Sequence, residues 1–347
     1  MANTLELAPP PCLDEQREAL PLDPWRSLRV RFGMLLGEED FTTIGAYHRG
    51  KGWLHNAWLH RQGVVWGFGV ELAFENREVR VLPGLALDAL GRELHLDQTA
   101  CLDAGAWFDA HASDPGFEVA DVAGGKRFTA HVVARFRPCL DRAVPAMAEP
   151  CAGDARSVAY SRVAETVELL LLPGAAPPRT EPPLPYHRLR LLFGLEPAVL
   201  PADQEVLDAR DAILALPAAD QPAAQLDAFR RFAALDVVDL RPAPAADGEA
   251  LTLVPGAEPG DVVLAEITGL TLLGETGNWK LDSGTVDVTV RHAHVATATI
   301  QELLCGALLA GALAAAAEPA DAAPRAAEPA AAYRRARKNV AVRKTKR

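Results

Sequence analysis

Residues 47–101 decide the fold, and they read YHRGKGWLHNAWLHRQGVVWGFGVELAFENREVRVLPGLALDALGRELHLDQTAC. A helix rich in aromatic residues and histidines leads into a strand and two short hairpins, with turns predicted at Asn76, Pro83-Gly84 and Leu90-Gly91. No nucleophile lies beside a base in this stretch, and no glycine loop is spaced to hold a phosphate. The stretch therefore predicts a compact β unit with a helix packed against it.

The helix is predicted over residues 40–60, with Glu38, Glu39 and Asp40 at its positive end. At 100° per residue, several apolar side chains fall within an arc of about 140°, which predicts a buried stripe. The stripe consists of Phe41, Ile44, Tyr47, Leu54 and Trp58. Each of the three glycines inside the helix costs about 1 kcal/mol relative to alanine, so the helix needs the sheet behind it. Lys51 falls within the stripe, and we expect its ammonium group to reach a carboxylate or water.

The strands are predicted from alternating apolar and polar or smaller residues over residues 63–101, which is typical of strands with one buried face. The apolar pairs are Val79 and Val81, Leu85 and Leu87, and Leu94 and Leu96. Asp88 falls just before a turn, where its carboxylate is predicted to cap backbone amides. An acid–base pair of Asp88 with Glu93 is the alternative.

Three histidines lie on or near the helix: His48, His55 and His60. His48 and His55 are seven residues apart and share a face, but the i, i+4 spacing that helical metal sites favour is absent. We predict hydrogen-bonded histidines at a packed edge, with a metal site as the alternative. No metal ligand and no cofactor is therefore assigned.

The first half of the chain resembles proteins of contractile injection systems, which are phage-tail-like particles with a sheath, an inner tube and a baseplate. The resemblance is carried by LGEEDF…YHRGKGWLHNAWLHRQGVVWGFGV and by the following VRVLPGLALDALGRELHL. Residues 83–96 are similar to the PG-x-A-x-D-x-x-G hairpins of baseplate and tail-fibre attachment domains. Residues 261–291, with a Gly-rich turn and Trp279, resemble a second segment of those proteins. The resemblance implies structural hairpins without catalysis.

The middle of the chain is predicted to continue in strands over residues 126–172. In KRFTAHVVARFRP, alternate side chains are predicted to point to opposite faces of the strand. The set predicted to face the core is Phe128, Ala130, Val132 and Phe136, and the set predicted to face away is Thr129, His131, Arg135 and Arg137. A loop, CLDRAVPAMAEPC, is predicted before strands at 157–160 and 163–172. Cys139 and Cys151 bracket this loop as two free thiols, a disulfide or part of a metal site, and all three interpretations stay open.

The predicted fold class is α+β, mainly antiparallel β hairpins packed on an N-terminal helix, with an inserted helical subdomain and a C-terminal helix. A strand is also expected to open at Trp25, Val30 and Phe32. The helices of the subdomain are predicted at 187–195, 202–216 and 222–235. The predicted parts are an extended arm (1–24), a helix plus β domain (25–172), a Pro-rich connector (173–186), the helical subdomain (187–240), a second β part with a terminal helix (251–317) and a disordered basic tail (318–347).

Charge is unevenly distributed along the chain, whose formal net charge is −11. Residues 333–347 contain eight Lys or Arg and no acid, whereas the preceding residues are strongly acidic. An acidic body argues against nucleic acid as a partner, and membrane contact is expected only through the basic tail. The start of the chain is acidic and Pro-rich, so no signal peptide is predicted. The five cysteines have irregular spacing, which favours a reducing compartment during assembly.

The resemblance implies a non-enzymatic structural component of a contractile phage-tail-like particle, associated with the baseplate and assembled in the cytoplasm. Its expected partners are other baseplate, tube or sheath subunits, together with further copies of itself in a symmetric assembly. Aromatic anchors dominate contact energies in such interfaces. The predicted interface residues are Tyr47, His48, Arg49, Lys51, Trp53, Trp58, Trp66 and Trp279. For each tryptophan, core packing is the competing interpretation.

Two other function classes remain as alternatives. One is a hydrolase or lyase with a site drawn from His48, His55, His60 and Asp88, although no base is paired by spacing with a nucleophile. The other is an adhesin whose β domain binds glycans. No catalytic residue is assigned.

Overall fold

The architecture is α+β with antiparallel sheets, as the sequence predicts. A computed structural model describes residues 12–13, 20–145, 158–178, 186–198, 200–240, 260–300 and 302–303. The chain divides into two compact units, Met1–His294 and Val295–Arg347. In the second unit, residues 297–300 and 302–303 are helical, and the rest of the helix predicted over 297–317 lies outside the described residues. No helix in the described ranges is long and apolar enough to cross a bilayer.

The first unit begins with one long helix, followed by short strands and then long ones. The N-terminal part comprises α1 (Glu38–His55), a π-helical turn (Asn56–His60), β1 (Gly63–Gly67), β2 (Val70–Ala73), β3 (Glu78–Val81), β4 (Gly84–Leu87), β5 (Glu93–Leu96), β6 (Ala100–Asp103) and α2 (Ala104–His111). The remaining elements are β7 (Val119–Val122), β8 (Gly125–Pro145), β9 (Val158–Pro173), α3 (His187–Leu192), α4 (Gln204–Leu214), α5 (Gln221–Asp239), β10 (Val262–Glu275) and β11 (Asn278–Asp287).

Three antiparallel sheets share one hydrophobic core. The first two are three-stranded, in the orders β1-β4-β5 and β2-β3-β6, and the third has the order β11-β10-β8-β7 with β9 also paired to β8. Ala86, Val79 and Leu264 come from different sheets and are all buried in this core, which α2 joins through Phe108. The predicted inward set of KRFTAHVVARFRP is confirmed, because Phe128, Ala130, Val132 and Phe136 are all buried. The outward set is not confirmed throughout, since His131 is also buried.

The buried face of α1 differs from the predicted stripe. Phe41 and Ile44 are exposed, whereas the buried residues of the helix are Ala46 and Gly50. A Cβ atom on Gly50 would lie 2.8 Å from the Pro24 backbone nitrogen, so the preceding chain packs directly on the helix backbone. The other three stripe residues, Tyr47, Leu54 and Trp58, are partly buried. The predicted stripe was wrong at its N-terminal end because the buried contact is made by small residues and backbone, which an apolar periodicity does not detect.

Two strand predictions are corrected. Residues 139–145, which were assigned to a loop, continue β8, and the two short strands predicted at 157–160 and 163–172 are the single strand β9. Residues 25–37 contain no strand, although Trp25, Val30 and Phe32 alternate with polar residues. Alternation indicates that a segment can enter a sheet, but a strand forms only where a neighbouring strand is available.

Cys139 pairs with Cys12 across 127 positions of sequence, and Leu13 N–H donates to the Pro138 carbonyl (2.8 Å). The bond excludes both a pairing of Cys139 with Cys151, which lies outside the described residues, and the interpretation of Cys139 as a free thiol. Cys12 and Leu13 occupy the edge of β8 beyond Ala134, where its pairing with β10 ends. The disulfide therefore fixes the N-terminal arm to the long β8–β9 hairpin.

Cys12→Ser is expected to lower the free energy of unfolding by about 2–4 kcal/mol under oxidising conditions, because the bond closes a long loop in the unfolded chain. Urea unfolding with and without reductant measures this effect, and the variant and the wild type should converge when reduced. Cys101→Ser is the control, since Cys101 is a free, exposed cysteine. A loss of stability that persists in reductant would mean that side-chain packing, and not the covalent bond, is responsible.

The helical subdomain contains α3, α4 and α5, each beginning within about two residues of its predicted start. Its core consists of Leu191, Leu192, Val206, Ile213 and Phe232. Asp236 is buried and caps α3 by accepting hydrogen bonds from the Arg188 and Leu189 amides (3.1 and 3.0 Å). Other apolar side chains of the subdomain lie outside this core, because Leu216, Leu226 and Phe229 are exposed.

His187 lies between two carboxylates of this subdomain, Glu196 (2.9 Å) and Asp203 (3.0 Å), while Glu196 also accepts a hydrogen bond from Arg190. The hydrogen bond to Glu196, followed by that to Asp203, raises the pKa of His187 above its ordinary value of 6.5. The stabilisation from protonated His187 is thus complete below about pH 6.5 and is lost as the pH rises through the raised pKa.

We therefore expect the melting temperature of the wild type to fall as the pH rises from mildly acidic to mildly alkaline. His187→Gln should flatten this dependence, with a stability change below about 1 kcal/mol because the group is partly exposed. Thermal melts at a series of pH values, with an NMR titration of the His187 ring, provide the measurement. A His187 pKa at or below 6.5 would contradict the prediction.

Candidate functional site

The turn between β4 and β5 is held by a buried ion pair. Asp88 accepts hydrogen bonds from the Leu90 and Arg92 amides (2.9 and 2.8 Å) and from Arg92 Nε (2.5 Å). The predicted capping role of Asp88 is thereby confirmed, whereas Glu93 is exposed. Burial raises the pKa of Asp88, and Arg92 opposes that rise. Because its donors are backbone amides and a guanidinium group within the turn, Asp88 stabilises the hairpin.

Helix α1 packs directly on this turn. The Asn56 side-chain amide donates to the Gly91 carbonyl (3.0 Å), and Trp53 meets Phe136 edge to face with ring centroids 5.7 Å apart. Gly91 has φ +81°, and a Cβ atom there would lie 2.0 Å from the Trp53 carbonyl oxygen. The helix and hairpin that carry the resemblance therefore form one tightly packed unit.

Two of the predicted interface residues on α1, Arg49 and Lys51, contact the chain's own N-terminal segment. Arg49 donates to the Pro21 carbonyl (3.1 Å) and to Glu165 (3.4 Å). The Lys51 ammonium lies 4.8 Å from the centre of the Trp25 ring and 5.7 Å from that of Tyr47. Lys51 is exposed, which agrees with the expectation that its ammonium group reaches a carboxylate or water. These side chains hold residues 20–25 against the helix.

The tryptophans fall into different environments. Trp279 is 6% exposed, and its Nε1 donates to Asp109 (2.6 Å), so it belongs to the core and is not available to a neighbouring subunit. Trp53 and Trp58 are partly buried. Trp66, on β1, is exposed and remains a candidate interface residue. Core packing therefore accounts for Trp279 and for much of Trp53.

The structure does not assemble the alternative His/Asp site. His55 and His60 lie next to each other, with their Nε2 atoms 3.3 Å apart, and both are exposed. His48 lines a separate open cleft of about 330 Å³ together with Arg49, Glu93 and Glu165. Asp88 is completely buried in its turn. Across the part of the chain that the structure describes, no three His, Cys, Asp or Glu residues are grouped to hold a metal ion.

The most prominent surface feature was missed by sequence reasoning. We call residues 25–36 the N-terminal apolar segment. Large apolar side chains of this segment and of the first turns of α1 are exposed: Trp25, Val30, Phe32, Met34, Leu35, Leu36, Phe41 and Ile44. Monomeric proteins seldom expose large contiguous apolar patches, and such patches mark interaction sites. The sequence signal for this exposed surface is the run MLL after a glycine, which belongs to no periodic pattern of a helix or a strand.

No family model matches the chain, and a comparison with curated proteins found no significant match.

Proposed function

We propose that the protein is a non-enzymatic structural component of a contractile phage-tail-like injection system, associated with the baseplate and acting through contacts between subunits. The observation that carries the proposal is the exposed N-terminal apolar segment. Burying such side chains against a neighbour would supply about 25 cal/mol for each Å² of apolar surface removed from water. Assembly in the cytoplasm, with sheath, tube or baseplate subunits as partners, follows from the resemblance.

The local structure of the resembling residues supports this proposal. Residues 83–96 form the β4–β5 hairpin, and residues 261–291 contain the paired strands β10 and β11. The conspicuous polar residue of the first hairpin, Asp88, is occupied in holding its turn. A hairpin whose conspicuous polar residue is engaged in its own turn, together with the exposed N-terminal apolar segment, is suited to building an assembly.

The double variant Phe32→Ser/Leu35→Ser is expected to reduce incorporation into particles by at least about tenfold, because aromatic and large apolar anchors carry most of an interface's energy. Sheath- and tube-containing particles are pelleted from cells producing either form, and the protein is quantified in the pellet. Both side chains are almost fully exposed, at 109% and 97%, so the fold should be unaffected.

Phe74→Ser and Val238→Ser are the matched controls, since each removes an exposed apolar side chain outside the segment. Both should pellet like the wild type. Equal incorporation of the double variant, or particles of normal form and contractility in cells that lack the protein, would contradict the proposed function.

A further inference from the structure

A tight turn presents the most exposed part of the N-terminal apolar segment. Met34 N–H donates to the Arg31 carbonyl (3.2 Å), and Gly33 has φ +85°, which fits a type II turn with glycine at its third position. Phe32 lies at the second position and is fully exposed, and Leu35 follows the turn. This turn with Phe32 and Leu35 is called the knob below. Phe32 and Leu35 make almost no contact with their own chain.

Basic side chains accompany the knob. Arg26, Arg29 and Arg31 precede it, and residues 25–36 contain no acidic residue. Apart from Arg26, which lies 3.9 Å from Asp23, no ion pair was found for these arginines among the described residues. A partner surface for the knob should therefore combine an apolar depression with negative charge.

The helical subdomain provides such a surface. An open groove of about 580 Å³ lies beside α5 and is lined by Phe193, Gln221, Pro222, Gln225, Leu226 and Phe229. The rings of Phe193 and Phe229 meet at 6.3 Å, and both are exposed together with Leu226. The helical subdomain, residues 187–240, contains nine carboxylates and five arginines. The groove is thus apolar and lies on an acidic subdomain.

We propose that the knob of one copy inserts into the groove of a second copy of this chain. Phe32 and Leu35 would pack against Phe193, Leu226 and Phe229, while the arginines preceding the knob would face the acidic subdomain. Both surfaces are exposed in the single chain, so neither already fills the other. The inference rests on the proposed function and names the partner of the N-terminal apolar segment.

The contact is heterologous, because the two surfaces are different parts of the molecule. Such an interface leaves one knob and one groove open after each addition, and it generates rings or filaments instead of closed twofold dimers. A ring around the axis of a particle is one outcome of this geometry.

The first experiment measures self-association of the purified full-length chain by sedimentation velocity over a range of concentrations. The wild type is expected to associate, and rising salt should weaken the association because the paired surfaces carry opposite charges. Phe32→Ser/Leu35→Ser removes the knob, and Leu226→Glu places a charge in the groove. Each variant should weaken association at least tenfold, whereas Phe74→Ser should not.

The second experiment mixes the two defective variants. The knob variant retains an intact groove, and the groove variant retains an intact knob, so an equimolar mixture should form heterodimers but no larger species. Circular dichroism of each variant confirms that its fold is intact. A monomeric wild type, variants that associate like the wild type, or a mixture that stays monomeric would each overturn the inference.

The outcome is independent of the test of the proposed function, because purified protein is compared without any particle. Self-association lost in both variants would support the knob–groove contact even if particles form normally without the protein. Conversely, a monomeric wild type that still pellets with sheath and tube would overturn the contact and leave the proposed function standing.

Discussion

Gly91→Ala is expected to lower the free energy of unfolding by more than about 3 kcal/mol, combining left-handed backbone strain with overpacking. At φ +81°, an L side chain is strained wherever it points. In addition, the new Cβ would lie 2.0 Å from the Trp53 carbonyl oxygen and 2.7 Å from the Ala57 nitrogen. These are backbone atoms of α1 and the turn after it, so relief requires the helix to move away from the hairpin. Urea unfolding followed by circular dichroism measures the loss.

Gly116→Ala is the matched control, because Gly116 has the same φ of +81° and nothing lies within 4 Å of the position of its Cβ. It should lose only the strain of the left-handed conformation, about 1–2 kcal/mol. If both variants were equally destabilised, the close packing of α1 on the hairpin would be refuted, since only Gly91 has a neighbouring backbone to meet.

Asp88→Ala is expected to cost about 3–5 kcal/mol, the range found when one member of a buried ion pair is removed. The substitution takes the carboxylate from Arg92, whose side chain is 5% exposed, and removes the acceptor for the Leu90 and Arg92 amides. The Arg92 guanidinium group also lies 4.7 Å from the centre of the Phe136 ring. Its displacement would therefore disturb the packing of Phe136 against Trp53. Chemical unfolding measures the loss.

Asp88→Asn separates the ion pair with Arg92 from the hydrogen bonds that the side chain accepts from the backbone amides of the turn. Its amide oxygen can still accept from both backbone amides, but the charge is lost, so we expect an intermediate loss of stability. Asp121→Ala, which breaks an exposed pair with Lys126, is the control and should cost at most about 1 kcal/mol. An Asp88→Ala protein as stable as this control would show that the buried pair does not hold the turn.

The β2–β3 and β4–β5 hairpins could be predicted because their sequence pattern and their environment agree. Val79, Val81 and Leu94 alternate with polar residues and are buried. Asp88 caps the turn that follows it, as its position in the sequence predicts. The turn predicted at Pro83-Gly84 was wrong, because the chain passes there from β3 in one sheet to β4 in another.

The contact face of α1 could not be predicted, because Gly50 packs through its backbone on Pro24. The long hairpin was predicted as shorter pieces, with a loop from Cys139 and a break between residues 160 and 163. Arg142, with φ +57°, lies within that predicted loop and interrupts the pairing of β8 with β9.

The candidate surface was harder to predict than the fold. Trp25, Val30 and Phe32 have the alternation of a strand, but the described part of residues 25–37 contains no strand. Tryptophan was treated as a marker of interfaces, yet Trp279 is buried with its indole nitrogen bound to Asp109. Residue type indicates what a side chain can do in an interface, whereas exposure depends on distant parts of the chain.

The cystine between Cys12 and Cys139 also determines how the molecule would carry mechanical load. Tension applied to the chain before Cys12 passes through the disulfide directly into β8. The polypeptide between the two cysteines is then a closed loop that carries no covalent tension, and this loop contains helix α1 and the β4–β5 hairpin. Under such tension, these elements would keep their shape while the long hairpin takes the force.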